Sequence, residues 1–280
     1  MGGIDLHAHT TRSDGTFTPT ELVRLALSRG LSVLGVTDHD TTDGLEEAER
    51  AAGGTALEIV PGVELSTMYE GSSVHVLCYW MERSHRELQA ELERLREDRF
   101  RRGERMVEKL QTLGYPVTFE RVREIAAGGN IVRPHIAQAL VEAGVVATEE
   151  EAFTEEFIAD GGRADVPKHA LHPLEALDLI TAARGACVLA HPGMWAGQGS
   201  VPDELIEAMA ERGMAGLEAD HPDHSPEQRV RYGSLASRLG LVATGASDCH
   251  GVRYDPVRLG SVTTDSGQFA ALRDRVPARS

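Results

Sequence analysis

Cysteine is scarce in this chain. Cys78, Cys187 and Cys249 are far apart and odd in number, which excludes a disulfide framework and fits a reducing, cytoplasmic setting. Long apolar runs are absent too: nothing approaches the roughly 20 residues that a membrane-spanning helix needs. The opening Met1-Gly2-Gly3-Ile4-Asp5-Leu6 has neither a basic segment nor an apolar one, so a secretory signal is not expected. Leu6 also stands where a myristoylation signal wants Ser or Thr. Positive charge is in short supply, with 28 basic against 44 acidic residues and a formal net charge of −16. Such a chain repels long nucleic-acid duplexes unless its positive charge is concentrated locally. A nucleic-acid partner would have to be short or gripped at one end. Lysine is nearly missing, with Lys109 and Lys168 the only two. We read that as compositional skew before reading it as a preference for arginine forks.

What is present is an alternation of short apolar runs with helical patterns, the signature of an α/β protein with parallel strands. Strands are predicted near residues 4–9, 33–37, 58–64, 74–79, 186–190, 215–218 and 241–245. Between the first two lies a helix with a complete start signal: Thr18 as N-cap, Pro19 as first residue and Glu21 closing a capping box. Gly30 stops it. Similar helices follow Pro173, Pro202 and Pro226. Residues 91–165 break the rhythm, being charged and helical at first and then mixed. They are read as a mainly helical insertion, dividing a barrel-like core into residues 1–90 and 166–280.

Six of the twelve histidines, in five segments, fall where apolar strands give out into polar residues. The segments are Ile4-Asp5-Leu6-His7-Ala8-His9, Val36-Thr37-Asp38-His39, Val74-His75-Val76, Val188-Leu189-Ala190-His191 and Asp248-Cys249-His250. Glu64 is expected to end a further strand, at Pro61-Gly62-Val63-Glu64. In barrels of alternating strands and helices that edge collects catalytic residues. His7 and His9 are two apart on a strand and share a face, so they can bind one ion; Asp248 and His250 repeat the spacing. Imidazole with carboxylate suits Zn, Mn or Fe, and Glu64 is the natural carboxylate to bridge two ions. His75 alone would pass for a core histidine, and Asp248 with His250 for a turn cap. Together they are better explained by one metal centre, because each buried polar group would otherwise need its own partner. Cys249 is read as packing, and His85 as a surface residue.

The motifs His7-Ala8-His9-Thr10, Thr37-Asp38-His39-Asp40, Ala190-His191-Pro192 and Ser247-Asp248-Cys249-His250 resemble, in order, the four motifs of the PHP (polymerase and histidinol phosphatase) family. The resemblance implies a distorted seven-stranded β/α barrel holding two or three divalent ions (Mn, Zn or Fe, with Mg as a further candidate). It implies His7, His9, Glu64 and Asp248 at a first ion and Glu64, His75 and His191 at a second. Asp14, His39 and His250 fall to a third, with Asp14 standing where many members carry His. Asp38 is assigned to orienting a ligand. Arg133-Pro134-His135 within the insertion is similar to the branch of nucleoside 3′,5′-bisphosphate phosphatases, some of which act as 5′-to-3′ exonucleases on short RNA. That branch closes on Gly-Ser-Asp-Phe-His, where this chain reads Gly245-Ala246-Ser247-Asp248-Cys249-His250.

The expected function is therefore hydrolysis of a small phosphorylated substrate, a nucleotide or a short RNA end, by attack of a metal-bound hydroxide held by His7, His9, Glu64 and Asp248. A second phosphate needs an anion site away from the metals. Arg99 and Arg133 are the candidates, followed by Lys168, His135 and His224, and Pro134 is expected to hold Arg133 in extended backbone. Most arginines of residues 94–105 are read as a solvated helix face, interleaved with carboxylates. Competing readings are a histidinol-phosphate phosphatase, a metal-dependent amidohydrolase and a non-catalytic PHP module. No lysine ends a predicted strand, which disfavours the second, and no ligand position is vacant, which disfavours the third.

Overall fold

The computed structural model describes residues 2–127, 131–167, 170–194 and 199–277. Seven strands form one sheet in chain order: β1 (Gly3–Asp5), β2 (Leu31–Val36), β3 (Glu58–Tyr69), β4 (Ser72–Tyr79), β5 (Ala186–Leu189), β6 (Gly216–Asp220) and β7 (Val242–Gly245). Helix α1 (Pro19–Ser28) joins β1 to β2 and α2 (Leu45–Ala52) joins β2 to β3. The expected capping box at Thr18 and Glu21 is present. A long helix, α3 (Arg86–Thr112), leads into the insertion helices α4 (Phe119–Ile125), α5 (Arg133–Glu142) and α6 (Glu149–Ala152). The chain returns through α7 (Pro173–Ala182), α8 (Asp203–Glu211), α9 (Pro226–Leu239) and α10 (Ser266–Arg273).

All seven predicted strands form, but pairing departs from an all-parallel sheet. β3 and β4 are an antiparallel hairpin, and β4 is antiparallel to β5; the remaining neighbours are parallel. Tyr69 pairs with Ser72, leaving Glu70 and Gly71 as a two-residue turn with φ of 47° and 81°. Two positive φ values match the twist of a tight hairpin. The expectation that Glu64 ends its strand is corrected by this hairpin. β3 loses its parallel neighbour after the His39–Glu64 bridge and runs on to Tyr69 against β4 alone. Glu64 is therefore a mid-strand residue.

No strand ladder joins β1 to β7 among the described residues, yet the chain ends of the sheet meet. Ala8 and Cys249, just beyond β1 and β7, form a parallel bridge, and His9 N donates to Cys249 O at 2.9 Å. The result is a distorted β/α barrel. Alternate residues, among them Ile4, Leu6, Val33, Val60, Leu77, Tyr79 and Val188, fill its interior. A larger apolar layer lies between sheet and helices and includes Leu88, Leu92 and Leu95 of α3. Further along the same helix, Met106, Val107 and Leu110 belong to a separate core shared with the insertion. α3 is thus common to both bodies of packed side chains. Gly103 permits the close approach there, since a Cβ would lie 2.5 Å from Ile131 Cγ2. Arg133 opens α5, and it is Val132, the N-cap, that is extended, with φ −128° and ψ 159°. The expected extended backbone at Arg133 is replaced by a helix start.

Gly35 of β2 shows how closely β1 is held. A Cβ at this position would sit 2.0 Å from Leu6 O and 2.5 Å from Leu6 C, both backbone atoms next to His7. Gly35→Ala must push β1 and β2 apart, and overpacking of this kind costs about 1–3 kcal/mol or more. A urea or thermal unfolding curve should show that loss. An unchanged midpoint would mean that β1 can shift freely.

Candidate metal centre

Strand parity carries several polar groups onto the inner face. Glu64 follows Val60 and Gly62 on β3, and His75 precedes Leu77 and Tyr79 on β4. His7 and His9 arrive on the segment after β1, His39 after β2, His191 after β5, and Asp248 and His250 after β7. All are buried or nearly so. Asp40, His191 and Asp248 have positive φ, at 52°, 23° and 47°. Non-glycine residues in that region cost about 1–3 kcal/mol each and persist where their surroundings over-determine them.

Three groups of donors converge: His7, His9, Glu64 and Asp248; His39, Glu64 and His75; and His9, Asp14, His39 and His250. In the first group His7 Nε2 and His9 Nε2 face each other at 3.1 Å. Glu64 Oε2 lies 3.3 and 3.2 Å from these nitrogens, and Asp248 Oδ1 lies 3.3 and 3.1 Å from them. Four ligands about 2.0–2.2 Å from a tetrahedral ion stand roughly 3.3–3.6 Å apart, so the spacing suits a cation at the centre. Glu64 Oε2 and Asp248 Oδ1 are buried and make no hydrogen bond of acceptable geometry. A cation would satisfy both, and the residues present fit one. Glu64 Oε1 faces a second direction, with His75 Nδ1 at 2.9 Å and His191 Nε2 at 3.1 Å. In the third group Asp14 Oδ1 is 3.3 Å from His250 Nε2 and 3.6 Å from His9 Nδ1. His39 reaches Glu64 Oε2 through Nδ1 at 3.0 Å and Asp14 Oδ2 through Nε2 at 3.8 Å.

Several ring nitrogens are anchored by groups behind the centre, which favours particular tautomers. His7 Nδ1 donates to Glu218 Oε1 at 3.2 Å, and Glu218 Oε2 accepts His191 N at 2.8 Å. His250 Nδ1 donates to Asp248 O at 2.9 Å. Asp38 accepts from Thr10 N, Thr10 Oγ1 and Ser13 Oγ, and Ser13 Oγ lies 3.4 Å from His9 Nδ1. Asp38 thus bears on His9 through Ser13. Asp5 accepts from Ser247 N, Ser247 Oγ and Gly260 N at 2.5–3.0 Å, tying the loop that carries Asp248 to β1. Glu218 and Asp5 were not among the residues expected from sequence. Glu218 carried a readable signal, since it ends the strand predicted at residues 215–218; Asp5 carried none, because its Ser247 and Gly260 partners lie over 240 residues away.

Arg99 and Arg133 line a cavity of about 340 Å³ together with Asp14, His39, Glu64, His75, His191, Asp248 and His250. Each already holds a carboxylate. Arg99 Nε donates to Asp40 Oδ2 at 2.7 Å and its Nη2 to Ser66 Oγ. Arg133 Nη1 donates to Asp160 Oδ1 at 2.7 Å. His135 is buried, with Nδ1 accepting Val132 N at 3.4 Å. His224 lies outside the cavity lining: Nδ1 donates to Ala219 O and Nε2 accepts Gly193 N, each at 3.1 Å. Lys168 lies outside the described residues. His85 caps α3, accepting Leu88 N.

The charge balance is set by mutual proximity. Burial pushes the Glu64 carboxyl up, but His39, His75 and His7 outweigh that and hold it well below the usual range. Asp248 and Asp14 are likewise lowered against burial, His250 being the foremost neighbour of each. Burial pushes the His9 ring down, yet Asp248 and Glu64 raise it to about 10. Burial wins at His39, which falls to about 3.

The PHP domain pattern matches residues 5–117. The 5′-3′ exoribonuclease Rnm of Salmonella typhimurium is 34% identical over 248 residues, 88% of this chain and 84% of that protein. The 3′,5′-nucleoside bisphosphate phosphatase of Chromobacterium violaceum is 32% identical over 252 residues, 89% of this chain and 88% of that one. A solved structure from Bifidobacterium adolescentis, described as a candidate metal-dependent phosphoesterase, superposes with a TM-score of 0.91 at 35% identity. It covers 99% of this chain and 97% of its own. The fold and the donor set define a metal-dependent phosphoesterase, a hydrolase. The chain belongs to the PHP family.

A pH dependence follows from His9. In the metal-free protein its pKa is raised to about 10, above the 6.5 of an exposed histidine. Its contribution to stability is therefore full below about pH 6.5 and is lost as pH rises through 10. A bound cation takes the proton's place. Metal-free protein should lose melting temperature between about pH 6.5 and 10, while metal-loaded protein should not. Parallel pH profiles of the two forms would contradict this.

Proposed function

We propose that this chain hydrolyses phosphomonoesters of small nucleotides at a centre of two or three divalent ions, with nucleoside 3′,5′-bisphosphates as preferred substrates and 5′ ends of short RNA as a longer form of the same ligand. The observation that carries the reading is that one cavity has the donor set at one wall and Arg99 and Arg133 on another. Its volume is that of a small-ligand site. The activities named for the Salmonella and Chromobacterium relatives support a nucleotide or RNA-end substrate. Mn, Zn or Fe suit the mixture of imidazole and carboxylate, and Mg is a further candidate.

In this reading His7, His9, Glu64 and Asp248 hold the first ion, Glu64, His75 and His191 the second, and Asp14, His39 and His250 the third. Divalent ions there neutralise the transferring phosphoryl group and supply a nucleophile at neutral pH. The chain's own contribution is position. Glu218 keeps His7 turned with Nε2 inward, Asp38 steadies the segment Thr10 to Ser13, and Asp5 fixes the loop before Asp248. Arg99 and Arg133 hold the phosphate that is not cleaved. A guanidinium has five donors, and the hydrogen bonds of Arg133 among the described residues run through Nη1, so its second amino group can turn to an anion. Phe153 and Met194, 39% and 41% exposed on the cavity wall, offer an apolar surface to a nucleobase.

Asp248→Ala should lower metal content and cut turnover at least about a hundred-fold, since several kcal/mol of charge stabilisation are at stake. Elemental analysis with unchanged metal content would sink the ligand assignment. Arg133→Ala should lower kcat/KM on adenosine 3′,5′-bisphosphate roughly ten- to a hundred-fold, as expected for one charge-assisted contact. Hydrolysis of p-nitrophenyl phosphate, which has no second phosphate, should hardly change. Equal losses on both substrates, or a wild-type preference for histidinol phosphate, would overturn the bisphosphate reading.

A further inference from the structure

His221, one residue beyond β6, has no part in the roles given above, yet it touches the first donor group. It is fully buried, and its Nε2 lies 3.5 Å from Asp248 Oδ2 without a hydrogen bond of acceptable geometry. Its other nitrogen is spoken for. Nδ1 accepts the backbone N–H of Asp223 at 3.2 Å, so Nδ1 carries the lone pair and the neutral ring carries its proton on Nε2. A lone pair on Nε2, which metal ligation requires, would place a proton on Nδ1 opposite the Asp223 N–H. Two donors would then face each other at 3.2 Å in a part-buried turn.

The turn that presents His221 is braced on every side. His224 N and Arg229 Nη2 donate to His221 O at 3.1 and 2.8 Å. Arg258 forks onto the Asp223 carboxylate at 2.6 and 2.9 Å, so the backbone amide that selects the tautomer is itself held. His224 clamps the turn to Gly193 and Ala219 through both ring nitrogens. The two oxygens of Asp248 are thereby divided. Oδ1 is 3.3 and 3.1 Å from His7 and His9, and Oδ2 faces His221.

We propose that His221 is a positioning residue: it donates Nε2–H to Asp248 Oδ2, fixes which oxygen of Asp248 is offered to the cation, and is not itself a ligand. An approach of about 0.3 Å brings the pair within ordinary hydrogen-bond distance. The inference rests on Asp248 being a ligand, which the metal content of Asp248→Ala tests separately.

The experiment compares metal-free wild type with His221→Leu and His221→Gln, measuring Zn²⁺ affinity by competition with a chelator. Leucine fills the space without a donor, and the glutamine amide restores an N–H. Loss of an orienting partner commonly weakens metal binding roughly ten- to a hundred-fold. His221→Leu should show that loss in its tightest site, and His221→Gln should recover to within about threefold of wild type. Wild-type affinity in the leucine variant, or equal losses in both variants, would overturn the proposal. A measurement on wild type needs no variant to fold. The ¹⁵N resonances of the His221 ring should keep a protonated Nε2 after Zn²⁺ is added. An Nε2 signal that moves to a metal-bound position would make His221 a ligand and end the proposal.

Discussion

One buried carboxylate, that of Glu64, has five imidazole nitrogens within 3.3 Å: His7, His9, His39, His75 and His191. Removing a charge from water is expensive, and the cost is met only where opposite charge and hydrogen bonds surround it. The rings come from the ends of β1, β2 and β5 and from β4, so the demand of one side chain draws much of the barrel's upper edge together. Backbone distortions accompany the convergence of donors at this centre. His191 and Asp248 take positive φ values because their side chains must reach inward from the turns that end β5 and β7. The local cost is borne by a centre that over-determines their position.

Around this carboxylate the protein is organised in rings of decreasing charge. Glu218 and Asp38 hold the outer nitrogens or the segments of the histidines, and Asp5 holds the loop of Asp248. Behind them the interior is apolar, with Leu6, Val60 and Val188 below the site. Tyr79 is the exception; its hydroxyl donates to Leu6 O at 3.0 Å, and burial pushes its pKa well above the ordinary value. On its other side the centre faces the cavity that α3 and the start of α5 line.

Much of this was legible in the chain itself. Apolar runs of four to eight residues located all seven strands, because each buries one or both faces and periodicity records burial. The i, i+2 pairs His7/His9 and Asp248/His250 and the carboxylate after Pro61-Gly62-Val63 marked the centre, since a strand puts such residues on one face. The β3–β4 hairpin was not legible: Met68-Tyr69-Glu70-Gly71 lacks the Asn-Gly signature, and the reversal depends on Glu70 accepting a positive φ. Glu218 could have been found by the reasoning that found Glu64. Asp5 and His221 could not, because their roles are set by Ser247, Asp223 and Asp248 across the barrel. The pairing of Arg99 with Asp40 and of Arg133 with Asp160 is likewise a fact of tertiary packing. An acidic chain offers every arginine many partners, and composition does not choose among them.

Helix α3 has a consequence for what the cavity can admit. Its 27 residues make a rod about 40 Å long, with one end packed into the barrel core and the other into the core of the insertion. Leu95, Asp98, Arg99, Arg102, Gly103 and Met106 of this rod form one bank of the cavity. A bank built on an uninterrupted helix does not widen by a loop swinging aside, so on this side the cavity wall is set by the helix itself. In the reading proposed above, selectivity is then a matter of which side chains stud the rod and the facing start of α5, while the donor groups on the opposite bank stay as they are. The architecture separates reactivity from discrimination, much as a lathe keeps its drive when the chuck is changed.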